Sequence, residues 1–116
     1  MILDRTLALQ IILDGAASEV DIHVDYVDYN DRGEATPPST MRSASNGAND
    51  VTILAAPVDN ARREPLRIHI YNGNGSTKVL TLKTDNGTTE RIIGKFSLST
   101  VKATYWEKGN GWQFNV

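Results

Sequence analysis

Apolar and polar residues alternate along most of this chain, and a period of two marks strands that bury one face and expose the other. The clearest early case is Val20 to Tyr29: Val20, Ile22, Val24 and Tyr26 share one face, and Asp21, His23 and Asp25 share the other. From Leu66 to Val116 the pattern reads as one uninterrupted β-meander. Arg67 to Tyr71 alternates, Asn72-Gly73-Asn74-Gly75 turns the chain, and Lys78 to Thr84 alternates again through Leu80 and Leu82. Asp85-Asn86-Gly87 then turns the chain into Ile92 to Phe96 and Val101 to Trp106, and Lys108 to Gly111 leads into Trp112 to Val116. Asn-Gly pairs supply the positive φ that tight hairpins need.

The first half is less regular. Leu7 to Leu13 is a compact apolar run that suits a strand or a short helix, and the β-rich sequence downstream favours a strand. Val51 to Ala56 reads as a strand closed by Pro57. Between them, residues 32–50 carry Pro37-Pro38 and many small polar side chains, which predicts a long loop excursion on an edge or the surface. Roughly eight or nine short strands at this spacing, without a long helical period, predict an all-β fold: a single antiparallel β-sandwich, of which a jelly roll is one form. Residues 1–116 then form one domain, with residues 1–6 as a short N-terminal arm.

Composition narrows the function. The 116 residues contain no cysteine, so neither a disulfide framework nor a thiolate metal site is available. Twelve basic and 14 acidic residues give a net charge of −2, with no basic stripe to neutralise a phosphate backbone, which argues against nucleic acid as a partner. No apolar run approaches the roughly 20 residues that a membrane helix requires. Arg5 to Ser18 loosely imitates a secretory leader, but Asp4 sits in the region that should be positive, Gln10 interrupts the short apolar run, and Asp14 lies where cleavage signals are uncharged.

Several motifs fail on inspection. Asp28 to Gly33 starts like a calcium loop, yet Arg32 and Ser39 occupy positions that need an oxygen ligand and a bidentate carboxylate, so an Asx-type turn is the better reading. Gly73 to Lys78 holds phosphate-loop residues in the wrong order and opens a strand rather than a helix. His23 and His69 lack a third nitrogen or sulfur ligand for zinc. No nucleophile elbow and no distinguishable carboxylate pair is present, so the reading is non-enzymatic, with no cofactor and no metal. Trp112 and Phe114 share a strand face, as core anchors would, while Tyr105 and Trp106 point to opposite faces, which leaves one of them for a partner or a sugar.

The segments Asp4 to Leu9, Ser18 to Asp28, Val51 to Pro57, Leu66 to Asn72 and Gly111-Trp112 together resemble the small virion structural proteins of tailed bacteriophages. That resemblance implies a structural protein of a bacteriophage particle, made in the host bacterial cytoplasm and located in the virion. Within the class it points to a capsid decoration or cement protein that stabilises the head by multivalent binding as a homo-oligomer, dimer or trimer. The alternatives are a head–tail joining, tail, baseplate or fibre-base part, or a carbohydrate-binding adhesin. Contacts to capsid or other virion proteins are expected from the apolar arm Met1, Ile2 and Leu3, which a compact sandwich has little room to bury, from Arg32 and Arg42 in the excursion, and from Trp106.

Overall fold

The computed structural model describes residues 1–4, 6–14, 19–58 and 61–116. Arg5 of the arm, residues 15–18 of the leader-like stretch and Asn60 lie outside the described residues. The described residues form nine strands: β1 (Ala8–Leu13), β2 (Asp21–Tyr29), β3 (Ser39–Ala44), β4 (Val51–Leu54), β5 (Arg62–Asn72), β6 (Lys78–Asp85), β7 (Glu90–Leu98), β8 (Lys102–Glu107) and β9 (Gly111–Gln113). No helix occurs among the described residues. A four-stranded sheet, β4-β1-β6-β7, packs on a five-stranded sheet, β3-β2-β5-β8-β9, and every pairing is antiparallel.

Period-two burial explains why these segments are strands. In β1, Leu9, Ile11 and Leu13 turn inward; in β6, Leu80 and Leu82 do the same. Facing them from the other sheet are Ile22, Val24, Ile68 and Ile70. Full burial of one such side chain contributes about 1.5–3 kcal/mol, so the two inner faces supply most of the favourable term. Lys83 is an exception on the outer face of β6. Although cationic it is almost wholly buried, and its ammonium reaches Asp50 at 2.7 Å and Glu90 at 3.0 Å. The Asp50 hydrogen bond, ahead of burial, holds its pKa above the ordinary lysine value.

Three sequence readings are corrected. The stretch from Leu66 to Val116 is not one meander, because β5 and β6 belong to different sheets, as do β7 and β8. Only the turns at Asn86-Gly87 and at Lys108 to Asn110 close hairpins, helped by glycines at φ 93° and 87°. Asn72 to Gly75 instead carries the chain between sheets. The excursion over 32–50 is also not all loop: β3 forms inside it and pairs with β2 at the sheet edge. Only Met41 and Ser43 are half-buried in it, too little to leave a burial signature in the sequence.

The third correction concerns the arm. Leu3 is fully buried, and it exchanges both backbone hydrogen bonds with Arg63, at 2.7 and 2.8 Å. It docks where β8 has ended, since β8 pairing on β5 begins only at Arg67. Pro65 falls in the gap between Leu3 and β8, so an imino residue inside a central strand leaves no ladder bond broken there.

Candidate functional site

The two ends of the sandwich treat polar residues differently. At the Asn72 end, the Asn72 amide is fully buried and donates to the carbonyls of Ser76, Leu98 and Ser99 at 2.9, 3.1 and 3.4 Å. Its oxygen accepts from the Asn74 backbone, and the Asn74 amide donates onward to the Glu19 carbonyl. One side chain therefore ties the β5–β6 and β7–β8 crossings together. Asn115, in the left-handed region at φ 55°, adds bonds from the Ser99 amide and to the Ser97 carbonyl.

At the opposite end lies a cavity of about 720 Å³ lined by Ile2, Tyr29, residues 30–33, Arg62, Glu64 and Lys108. Alternation in β5 places Arg62 and Glu64 on one face and sends Arg63 to the other. There Arg63 makes a bidentate pair with Asp28, at 2.8 and 3.0 Å, donates to the Ala55 carbonyl and stacks over Tyr26 at 4.5 Å. Glu64, on the cavity face, is buried and accepts from Lys108 at 2.8 Å and from the Tyr29 hydroxyl at 3.2 Å. The Lys108 bond outweighs burial and holds the Glu64 carboxyl below the usual range, while Glu64 raises Lys108. The two donors hold the Glu64 carboxylate ionised and in place.

The turn over 30–33 is the Asx turn expected from sequence: the Asn30 side-chain oxygen accepts from the amides of Arg32 and Glu34, both at 2.9 Å, and Gly33 sits at φ 80°. It presents Arg32, 81% exposed at the side chain, which pairs with Glu34 at 3.3 Å. Arg62 is exposed, and Lys108 is half in solvent. The rim thus carries both signs, with Asp31 among Arg32, Arg62 and Lys108 around an apolar Ile2; Arg32 and Lys108 are already paired with Glu34 and Glu64, which leaves the exposed Arg62 as the group suited to a carboxylate-bearing, partly apolar segment.

A second polar surface covers the outer face of the five-stranded sheet. Register places Arg42, His23, His69, Tyr105 and Gln113 in one row, and Thr40, Asp25, Arg67 and Glu107 in the next. The two histidine rings stand edge to face at 6.2 Å, and Arg67 lies over Tyr105 at 5.3 Å. Burial, with Arg67 and His23 nearby, lowers the His69 pKa. A shallow depression of about 260 Å³ lies among His23, Asp25, Arg67 and His69. Among the described residues, no three His, Cys, Asp or Glu side chains gather in a way that could hold a metal ion.

Of the residues expected to meet a partner, Ile2 and Arg32 come together at the cavity, and Met1 beside them is exposed. Leu3 belongs to the core and is withdrawn from that set. Arg42 is exposed on the outer face of β3, away from the cavity. Trp106 is half-buried against the core, opposite Trp112 on the inner face. Phe114 does not anchor the core, being 50% exposed and stacked on Trp112 at 5.8 Å. Tyr29, Arg62, Glu64 and Lys108 were not singled out from sequence; extending the alternation of β5 back through Pro65 would have put Arg62 and Glu64 on one face. No family model, curated protein or solved structure matches this chain.

Proposed function

We propose that this chain is a non-enzymatic structural protein of a bacteriophage particle, a capsid decoration or cement protein that binds the assembled head at many equivalent sites. One observation carries the docking part of this reading: Ile2 and Arg32, thirty residues apart and both expected from sequence to meet a partner, line the same cavity with Arg62 and Lys108. The phage assignment itself rests on the resemblance of the strand segments. A rigid sandwich whose open end presents Arg62 and Ile2 fits a part that folds alone and then docks on a shell, where weak contacts become durable when several are engaged together. The docked element would be an acidic segment of a shell protein. The sugar-platform alternative draws no support from Trp106, which packs against the core.

The test is quantitative mass spectrometry of intact particles together with cryo-electron microscopy. A copy number in simple ratio to the major shell protein, with the Arg32 end against the shell, is the expected result. A few copies at one vertex would replace decoration by head–tail joining, and absence from the particle would overturn the assignment.

A further inference from the structure

We infer that the free edge of β7 is a two-fold interface between copies of this chain. Four strands have an open edge, and β7 is the longest of them: nine residues, against six for β3, four for β4 and three for β9. It also carries the most exposed apolar surface, with Ile92 71% and Ile93 39% exposed. The cause is a bulge. Lys83 stands opposite Ile92 and Leu82 opposite Gly94, so Ile93 is an inserted residue. Register then puts Glu90, Ile92 and Lys95 on the outer face, opposite Asp85, Lys83 and Thr81, with the bulged Ile93 beside Ile92.

This pattern is complementary to itself. With a two-fold axis between Ile92 and Ile93, antiparallel pairing sets Ile92 of one copy opposite Ile93 of the other and Glu90 opposite Lys95, at two symmetric places each. Arg91 and Gly94, both on the inner face, also meet. The inserted residue is what lets faces match: in a regular strand, neighbours point to opposite faces and could not pair about such an axis. A slip by one residue sets an inner against an outer side chain. Charge complementarity and matched faces therefore select a second copy as the occupant. Two four-stranded sheets would become one of eight, closed by symmetry rather than open to further growth. Phe96, on the inner face of β7, touches Trp112 of β9 and Phe114 just after it, each pair at 5.5 Å, so this flank also carries the exposed Phe114.

The inference is independent of the docking role and is tested on the isolated protein. Sedimentation velocity over a concentration series should show a dimer. Lys95→Glu places like charges opposite each other twice per dimer, and Ile92→Lys removes the apolar centre; each should weaken the dimer by about tenfold or more, with an unchanged thermal midpoint at concentrations low enough for both proteins to be monomeric. Because the chain has no cysteine, mixing Ile92→Cys with Ile93→Cys should give a rapid mixed disulfide, whereas Arg42→Cys on β3 should not cross-link. A protein that stays monomeric at its highest soluble concentration overturns the proposal. So does a dimer indifferent to Lys95→Glu and Ile92→Lys, or cross-linking no faster at 92 and 93 than at 42.

Discussion

Asparagine at one end of this sandwich and arginine at the other show how a polar residue can be absorbed by a fold or left over from it. At the closed end Asn72 is buried and serves three carbonyls and the Asn74 backbone, so its chemistry is spent on holding two crossings in place. At the open end Arg62 faces a cavity in which Arg32 is engaged by Glu34, and Glu64 by Lys108 and Tyr29. Polarity near a strand end therefore indicates a binding surface only where the partners within the chain run out. The contrast can be broken by substitution at each end.

The largest effect is expected at Asn72. Asn72→Ala leaves buried carbonyls without a donor and should cost roughly 3 kcal/mol, read as a lower urea midpoint. A loss no greater than that of an open-end substitution would abolish the distinction between the ends. Next in size is Val101 in the β7–β8 crossing, a β-branched residue held at φ 54°. Val101→Gly removes a left-handed penalty of roughly 1–2 kcal/mol, part of which is returned as entropy of the unfolded chain. A net gain of about 0.5–1 kcal/mol in thermal or urea unfolding is expected, and a loss would mean that the crossing depends on the valine side chain. Arg62→Glu should change stability by no more than about 0.5 kcal/mol while removing particle binding. Retained binding in a folded Arg62→Glu protein would take the cavity out of the docking surface.

The smallest effects are in pH dependence, and they also separate the regions. The Glu64 carboxyl titrates below its ordinary 4.5, so its stabilisation is present above that value and lost as pH falls through the depressed one; Glu64→Gln should flatten the acid limb. His69 is likewise lowered, from 6.5, which favours its neutral form in the folded state. Stability from this source is complete above 6.5 and declines as pH falls below it, and His69→Gln should remove the decline. An unchanged profile in both variants would remove these groups from the acid response.

Much of the fold was legible because one-sided burial writes a period of two into the sequence, as in Ile22 and Val24 or Leu80 and Leu82. Sheet membership was not. Asn72 to Gly75 has the composition of a hairpin turn, and only the long-range bonds of Asn72 to Leu98 and Ser99 make it a crossing. β3 was hidden because its inward face carries only one sizeable apolar side chain, the half-buried Met41, which is too little for a periodic signal. The cavity was half legible: Ile2 and Arg32 stood out as an apolar terminus and a cation in a turn. Arg62, Glu64 and Lys108 belong to it through pairings between distant strands, which alternation alone does not encode.

The pairing of Leu3 with Arg63 and of Val116 with Ala103 fixes where the two ends of the chain emerge. Ala103 stands opposite Tyr71, so the two exits lie near opposite ends of β5, roughly 26 Å apart at about 3.3 Å per residue. Anything joined ahead of Met1 leaves beside the cavity and competes with whatever docks there. Anything following Val116 leaves from the far end, so with the cavity seated on a shell, cargo fused after Val116 would be displayed outward and cargo fused before Met1 would be trapped beneath.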